Sequence, residues 1–407
     1  MKKKVCFLVA EHPFLDARIF KKEAKTLLNN GYEVTMIVPR INGNLFDIDG
    51  TPFTNEFPSK TFIHEGVNII TYDRVYLEDK IKYLYYNTQS YNPDRFSDSL
   101  TQLGIALEAD IYHAHEYFSL YSGFGIKRAL RSRGKKAKLI YDSHELVPDP
   151  LEHNSTKSRN YMEKMLHLML KEVDFIITVS DSIKSWYLTL NPSVPVEVIY
   201  NSPPLSNDIL PNDVYKKQFL AVHEGFIGGT RGNWDKLLKI TEICRKTMDF
   251  KFKVIGGKRI TDKNQLTIPD HLSRNIEIIP WLDYSSISNE VKKADIGWID
   301  LNVTSSLNNK YAMPNKFFSY LTNGVPVLVN KCSDMEHFIK THQCGQVIDK
   351  LEASAEDYAE AINSLYLNRN KLKEMSTNAR RVMKETYSWD HMQKRLCSVY
   401  QNVLAEE

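Results

Sequence analysis

The sequence predicts an α/β protein built from two Rossmann-like domains that face one another across a cleft. Its 407 residues are enough for two domains of ordinary size, each with its own core. Segments typical of buried strands alternate with helical segments in both halves, and this alternation requires mainly parallel sheets. A proline pair at residues 203 and 204 interrupts the alternation. The predicted domains therefore span residues 1–203 and 204–387, and a C-terminal helix covers residues 388–407.

The composition excludes several classes of protein. Charged residues make up 25% of the chain, hydrophobic residues 42%, and the net charge is +3, which is typical of a globular protein without a nucleic-acid partner. No stretch approaches about 18 apolar residues, so any membrane contact would be peripheral. Five scattered cysteines favour a reducing compartment, argue against zinc and are interpreted as core residues: Cys6, Cys244, Cys332, Cys344 and Cys397.

The N-terminal segment predicts the start of a βαβ unit. Residues 5–10 form an apolar run of strand length, a helical segment ends near residues 30–31, and residues 33–38 predict the next strand. His12, Asp16 and Arg18 lie between the first strand and this helix. For Asp16 and Arg18, an ion pair at a helix N-terminus is the alternative to a role in ligand binding.

Residues 41–91 contain two weaker signals. The predicted irregular segment 41–65 includes Asp47 and Asp49, but two aspartates in a polar loop make a poor metal site, and a solvated loop is the better interpretation. Residues 80–91 combine lysines with four tyrosines. This segment fits a membrane surface or a sugar site, and an ordinary half-buried helix explains it almost as well.

Two predicted strands of the first domain carry polar residues at their carboxyl ends. Residues 109–115 predict a strand with His113 and His115 on the same side, because side chains alternate along a strand. His115, nearer the tip, is expected to reach the cleft. Residues 138–145 predict the next strand, followed by His144 and Glu145.

Residues 127–138 carry seven cations in twelve residues. A solvated helix end explains this run, and a basic patch for anionic lipid or a phosphorylated acceptor is the alternative.

The second half begins with a strand, a glycine-rich turn and a helix start over residues 226–236. Glycines such as Gly229 let a phosphate approach the backbone, and Arg231 and Lys236 can neutralise a diphosphate. The spacing matches neither a P-loop nor a dinucleotide fingerprint, which argues against ATP hydrolysis and NAD chemistry.

Residues 311–329 (YAMPNKFFSYLTNGVPVLV) form the segment around which the second domain is organised. Pro314 suits the start of a helix, and Gly324 ends that helix before a buried strand. Residues 294–301 predict the preceding strand. A strand, a loop and a helix N-terminus in this order place free backbone N–H groups at the carboxyl edge of a parallel sheet, where phosphates tend to bind.

This segment resembles the donor-sugar loop of the retaining GT-B glycosyltransferases of family four, in the variant with Pro-Asn-Lys before the helix and Gly-x-Pro-Val after it. The order of segments resembles this family over nearly the whole chain. The family has two glutamates eight positions apart, one near the donor sugar and one on the ribose. Here the matching positions hold Tyr311 and Ser319.

The resemblance implies a metal-independent, cytoplasmic or peripherally membrane-bound enzyme of polysaccharide or glycoconjugate assembly, without a cofactor. It would transfer a hexose from a nucleotide-diphosphate sugar to a glycan or lipid-linked acceptor with retained configuration. His115 would contact the donor sugar. The implied acceptor-side residues are His12, Asp16, Arg18, His144 and Glu145. The implied donor-binding residues are Gly229, Arg231, Lys236, Gly257, Trp281, Tyr311, Met313, Asn315, Lys316 and Ser319.

Two alternatives stay open at the level of sequence. A GT-B nucleotide-sugar epimerase would use the donor domain without an acceptor pocket. A non-catalytic GT-B subunit would bind a glycan or a partner, and the absence of both loop glutamates keeps this possibility open.

Overall fold

The computed structural model describes residues 2–151, 156–205, 216–228, 232–259, 262 and 266–405. The chain divides into two compact units, which comprise Met1–Ile199 with Gln393–Glu407, and Tyr200–Met392. Among the described residues, no helix combines the length and the apolar character that crossing a bilayer requires.

The first unit is an eight-stranded sheet with helices between its strands. Its elements are β1 (Lys4–Val9), α1 (Lys25–Asn29), β2 (Glu33–Arg40), β3 (Thr61–His64), β4 (Val67–Asp73), α2 (Ile81–Gln89), α3 (Ser99–Leu107), β5 (Ile111–His115), α4 (Tyr117–Ser132), β6 (Lys138–Ser143), α5 (Thr156–Met169), β7 (Phe175–Thr178), α6 (Asp181–Leu190) and β8 (Val196–Val198). Short 3₁₀ or π turns cover Ile19–Ala24, Leu77–Lys80 and Pro93–Arg95.

The strand order of this sheet is β3-β4-β2-β1-β5-β6-β7-β8, with every neighbouring pair parallel except β3 and β4. Strand β5 is buried along its whole length and β1 from its second residue onward, as helices on both faces of a parallel sheet require. The predicted Rossmann-like architecture is confirmed here.

The antiparallel edge strand β3 was not expected, because residues 41–65 were predicted to be irregular. Glu65 and Gly66 have φ of 46° and 84°, and consecutive residues of positive φ suit a two-residue hairpin turn. The turn pairs Thr61–His64 with the start of β4. The β3 side chains alternate between exposed and half-buried, as on an edge strand with one solvated face.

The second unit is a six-stranded parallel sheet of order β11-β10-β9-β12-β13-β14. Its elements are β9 (Phe219–Phe226), α7 (Trp234–Cys244), β10 (Phe250–Gly257), β11 (Ile276–Ile279), α8 (Tyr284–Val291), β12 (Ile296–Ile299), α9 (Leu307–Tyr311), α10 (Asn315–Thr322), β13 (Val327–Asn330), α11 (Ser333–His342), β14 (Gly345–Ile348), α12 (Ala355–Leu367) and α13 (Arg369–Val382), with short turns at Asp270–Leu272 and Met383–Tyr387. Helix α14 (Trp389–Ala405) follows, and its residues from Gln393 onward belong to the first unit.

Helix α10 has the form that the sequence predicts. Pro314 precedes it with φ of −71°, and Gly324, with φ of +68°, follows its C-terminus. Tyr320 is fully buried on the face that packs against β12. Gly297 on that strand permits the contact, since a Cβ atom there would lie 2.1 Å from the Tyr320 ring. The helix is thereby fixed closely against the sheet.

Candidate functional site

An acidic side chain and a basic one meet in the second unit between strand β9 and helix α10. Glu224, near the carboxyl end of β9, lies beside Ser319 and Lys316, and both side chains act to lower the pKa of its carboxyl. Its backbone N–H donates to the Tyr320 hydroxyl at 2.8 Å. Burial raises the pKa of Glu224, and the Ser319 hydroxyl and the Lys316 charge only partly oppose this. Among the described residues, one carboxylate oxygen has no hydrogen-bond partner.

Lys316 also approaches a buried histidine of the same strand. Its Nζ lies 3.4 Å from Nε2 of His223. Burial, and then the charge of Lys316, lower the pKa of His223 well below its usual range. The histidine is therefore neutral at physiological pH, and the positive charge at this edge of the sheet belongs to Lys316.

Lys236 is held in place by a buried carboxylate. Its Nζ lies 2.9 and 2.8 Å from the two carboxylate oxygens of Asp300, which follows β12. The Tyr358 hydroxyl donates to Asp300 Oδ1 at 3.0 Å. Asn233 caps α7 by accepting the backbone N–H of Lys236. These contacts fix the ammonium group at the carboxyl edge of the sheet.

The other predicted donor-binding residues have mixed placements. Trp281 donates its indole N–H to the Lys258 carbonyl at 2.6 Å, and its ring lies close to the backbone that precedes Gly257. Met313 is buried, whereas Asn315 is exposed and Tyr311 is half-buried at the end of α9. Gly229 and Arg231 lie outside the described residues.

In the first unit, Arg18 joins two buried carboxylates. Its Nε and Nη2 donate to Asp142 at 2.9 and 2.8 Å, its Nη1 donates to the Ile199 carbonyl at 2.8 Å, and Glu23 lies 3.0 Å from Nε. Burial acts to raise the pKa of Asp142, but the Arg18 guanidinium holds it well below its usual range. Because Arg18 is only 3% exposed, this geometry favours a positioning role over direct contact with an acceptor.

Three histidines surround the ionised Asp142. His115 Nδ1 and His144 Nε2 lie 3.3 and 3.1 Å from Asp142 Oδ2. His113 and His115 stack at 4.3 Å, which confirms that they point the same way, and His113 Nδ1 hydrogen bonds the Tyr400 hydroxyl at 2.8 Å. His115 is fully buried, and burial lowers its pKa to about 4. It is therefore neutral at physiological pH.

The more exposed side of this cluster consists of His12, Glu116 and His144. Glu116 Oε1 lies 3.7 Å from His12 Nε2 and 3.7 Å from His144 Nδ1. His12 Nδ1 lies 3.5 Å from Asp16 Oδ2. Burial would lower the pKa of His12, but hydrogen bonds with Asp16 and Glu116 raise it well above its usual value. Burial raises the pKa of Glu116 to about 7, and Glu145 adds to this rise.

Asp16 also caps the helical turns that follow it. Its Oδ1 accepts the backbone N–H groups of Arg18 and Ile19 at 2.8 and 3.0 Å. The alternative of an Asp16–Arg18 ion pair is thus replaced by two separate arrangements. Asp16 binds the backbone and His12, while the Arg18 side chain binds Asp142 and Glu23.

The basic run of residues 127–138 is largely paired with acidic residues. Lys127 and Lys138 both approach Asp174, Arg131 forms a two-bond pair with Glu172, and Lys135 pairs with Glu108. This arrangement favours a solvated, salt-bridged surface over a patch for anionic lipid.

Glu224, Asp300 and Glu116 are site residues that the sequence analysis did not single out. Asp300 stands near the carboxyl end of the predicted strand 294–301, the position that attracted attention to His115, whereas Glu224 precedes the segment 226–236 in which a strand was predicted. Strand-end position was therefore a usable signal for Asp300. Glu116 directly follows His115, but nothing in the sequence indicates its backbone geometry.

Both halves of the chain match families of glycosyltransferases. Residues 17–205 match the family described as Glycosyltransferase Family 4, and residues 238–398 match the family described as Glycosyl transferase-like. The candidate glycosyltransferase YtcC of Bacillus subtilis is 24% identical over 258 residues, which are 58% of this chain. The chain spans 62% of the length of that relative. Each half of the chain thus matches its own glycosyltransferase family model.

Solved structures of the GT-B fold resemble the whole chain. The sucrose-phosphate synthase of Thermosynechococcus elongatus has a TM-score of 0.67 at 12% identity, with 100% of both chains covered. Anabaena HepE in complex with UDP-glucose has a TM-score of 0.67 at 11% identity, covering 98% of this chain and 99% of HepE. At such identities the likeness establishes the fold, and the predicted GT-B architecture is confirmed.

Proposed function

We propose that the chain is a glycosyltransferase that transfers a hexose from a nucleotide-diphosphate sugar to a hydroxyl of a glycan or lipid-linked acceptor, with retention of the anomeric configuration. The observation that carries the proposal is the meeting of Glu224, Lys316 and Ser319 between β9 and α10. It combines a cation for a diphosphate with a carboxylate for a sugar hydroxyl, in a unit that matches a glycosyltransferase family.

Glu224 takes the place of a carboxylate that the α10 segment lacks. The family that this segment resembles holds the ribose with a glutamate at the position of Ser319. Here the Glu224 carboxylate comes from the neighbouring strand and lies beside the Ser319 side chain. One of its oxygens is buried without a partner among the described residues, and a ribose hydroxyl that reaches it would satisfy it. We therefore assign ribose binding to Glu224, with Ser319 as its positioning residue.

The diphosphate is assigned to Lys316, Lys236 and the N-terminal N–H groups of α10. Negative charge accumulates on the leaving diphosphate during transfer, and preorganised cations stabilise it there without a metal ion. Asp300 keeps Lys236 in position through two short contacts. No protein nucleophile and no cofactor enters this proposal. UDP is the first candidate nucleotide, because the HepE structures contain UDP or UDP-glucose.

The Asp142 cluster of the first unit is assigned to the sugar and acceptor side. His115 remains the proposed catalytic residue, His12, His144 and Glu145 the proposed acceptor-facing residues, and Asp16 and Arg18 the residues that hold His12 and Asp142. Membership in polysaccharide or glycoconjugate assembly and a cytoplasmic or peripheral membrane location belong to the same proposal.

The experiment is a thermal-shift screen of UDP, GDP, ADP and dTDP, followed by incubation with the corresponding hexose nucleotides and a panel of hydroxyl acceptors. We expect one nucleoside diphosphate to raise the melting temperature by mass action. We also expect a glycosidic product whose anomeric configuration, read by NMR, equals that of the donor. Binding without turnover would favour the non-catalytic subunit, and formation of an epimerised nucleotide sugar without acceptor would favour the epimerase.

A further inference from the structure

Two histidine rings of the first unit direct a nitrogen at the same carboxylate. His12 Nε2 and His144 Nδ1 each lie 3.7 Å from Glu116 Oε1, and each of the three side chains offers one ligand atom such that these atoms lie within 4.8 Å of one another. The segments that carry them follow β1, β5 and β6, which are neighbouring strands of one parallel sheet. Their carboxyl ends meet at one edge, so the fold itself brings the three side chains together.

The second nitrogen of each ring faces another carboxylate. His144 Nε2 lies 3.1 Å from Asp142 Oδ2, and His12 Nδ1 lies 3.5 Å from Asp16 Oδ2. An ionised carboxylate accepts hydrogen bonds only, so a neutral histidine donates its N–H there and keeps a lone pair on the other nitrogen. When both rings are neutral, two lone pairs and the Glu116 oxygen therefore converge without a hydrogen between them. Only a cation or a proton makes this arrangement favourable.

The backbone of Glu116 supports the same conclusion. Its φ of 72° and ψ of 171° fall in a region that is essentially restricted to glycine and costs about 1–3 kcal/mol for other residues. The strained residue is the N-cap that precedes helix α4, and it is 5% exposed. The strained backbone of Glu116 places its carboxylate between the two histidines.

We propose that His12, Glu116 and His144 bind a divalent first-row transition metal ion, with zinc as the best match. Two histidine nitrogens and one carboxylate oxygen form a known zinc ligand set, and the Asp16 and Asp142 carboxylates orient the rings from behind. Ligands about 2.0–2.2 Å from a tetrahedral ion are about 3.4 Å apart, close to the 3.7 Å contacts here. His12 lies in a loop after β1, so its ring can complete the closure.

This site departs from the sequence-based expectation of no metal, which rested on cysteine spacing, on the weak pair Asp47 and Asp49 and on the resemblance to a metal-independent family. Three protein ligands leave a fourth position for water or another oxygen ligand. The inference does not depend on the proposed function. All five residues belong to the first unit, whereas the proposed nucleotide-binding residues belong to the second.

The test begins with purified full-length chain stripped of metal by a chelator at pH 7.5. Zinc is added in a calorimeter, and cobalt is added as a probe whose visible absorption reports ligand number and geometry. We expect one ion per chain and a rise in melting temperature with zinc. We expect Glu116→Gln and His12→Gln each to weaken zinc binding at least tenfold. The matched controls Glu163→Gln and His167→Gln, on α5 of the same unit, should bind zinc as the wild type does.

The variants must be folded for this comparison to count. Circular dichroism without metal checks this, and an unchanged thermal shift with UDP, where the wild type shows one, gives a second check from the other unit. Absence of stoichiometric zinc or cobalt binding would overturn the proposal and leave a proton shared by His12 and Glu116 as the explanation. Equal zinc affinity in the wild type, Glu116→Gln and His12→Gln would overturn it as well.

Discussion

Moving one carboxylate between two neighbouring elements tests how the second unit binds its nucleotide. Glu224 reaches Ser319 from β9, whereas the resembled family carries its carboxylate on the helix. We expect Glu224→Gln to weaken the binding of UDP, or of the nucleoside diphosphate found by screening, by roughly tenfold. A hydrogen bond to a charged group contributes about 1.5–3 kcal/mol and a neutral one about 0.5–1.5 kcal/mol, so the difference is about 1–1.5 kcal/mol.

The melting temperature of Glu224→Gln should stay the same or rise, although its nucleotide affinity falls. A buried carboxyl whose pKa is raised favours folding when protonated, and this contribution is lost as the pH rises through the folded-state pKa. Glu224→Gln removes that loss. At pH 8 the variant should therefore melt at the same or a higher temperature than the wild type while it binds nucleotide more weakly. Glu242→Gln on α7 is the matched control, since this half-exposed glutamate has neither role.

Ser319→Glu completes the comparison. From sequence alone, this change should tighten nucleotide binding several-fold if Ser319 faces the ribose, and should destabilise the fold if Ser319 is buried against the sheet. The structure changes the expectation, because the new carboxylate would lie beside Glu224, and two adjacent carboxylates disfavour each other's ionisation. The single variant should melt lower without a gain in affinity, whereas Glu224→Gln with Ser319→Glu should recover most of the wild-type affinity. Calorimetry that finds unchanged affinity in Glu224→Gln, or tighter binding in Ser319→Glu alone, would refute the reasoning.

Three further predictions concern other buried or partly buried polar residues of the two units. Lys236→Ala should weaken UDP binding at least tenfold and uridine binding far less, and Asp300→Asn should weaken UDP binding by a smaller factor. Equal losses of UDP and uridine affinity would mean that the Lys236–Asp300 pair is only structural. His115→Ala should lower turnover more than a hundredfold with nearly unchanged UDP affinity, whereas His113→Ala should mainly lower the melting temperature, because it loses the Tyr400 bond. Burial raises the pKa of Asp295 from 3.8 to about 6, so the free energy of unfolding should fall as the pH rises between these values. The expected fall is about 3 kcal/mol, and Asp295→Asn should remove it. Urea unfolding of both proteins at pH 4 and 7.5 measures this difference.

The features that sequence predicts correctly are those that depend on residues close together in the chain. Pro314 and Gly324 act on the backbone beside them, and α10 therefore begins directly after Pro314 and ends before Gly324. Glu224 could not be assigned, since its role depends on Ser319, which is 95 positions away in the chain and adjacent only across the sheet. Arg18 was singled out correctly as important, but its partner Asp142 lies two strands away in the sheet. Long-range partners of polar groups are the part that sequence patterns do not contain.

The buried charges of this protein divide into two kinds, and the division itself points to function. Arg18 and Asp142 satisfy each other through two short hydrogen bonds, so breaking that pair should cost stability in the way expected of a structural ion pair. Glu224 and Glu116 are different. Glu224 leaves an oxygen without a partner among the described residues, and Glu116 has a backbone conformation that its own side chain disfavours. Neutral, unstrained alternatives at these two positions would make a more stable fold. A bound ligand would explain why carboxylates that lower stability are present at these two positions. The proposed ligands are a ribose at Glu224 and a metal ion at Glu116.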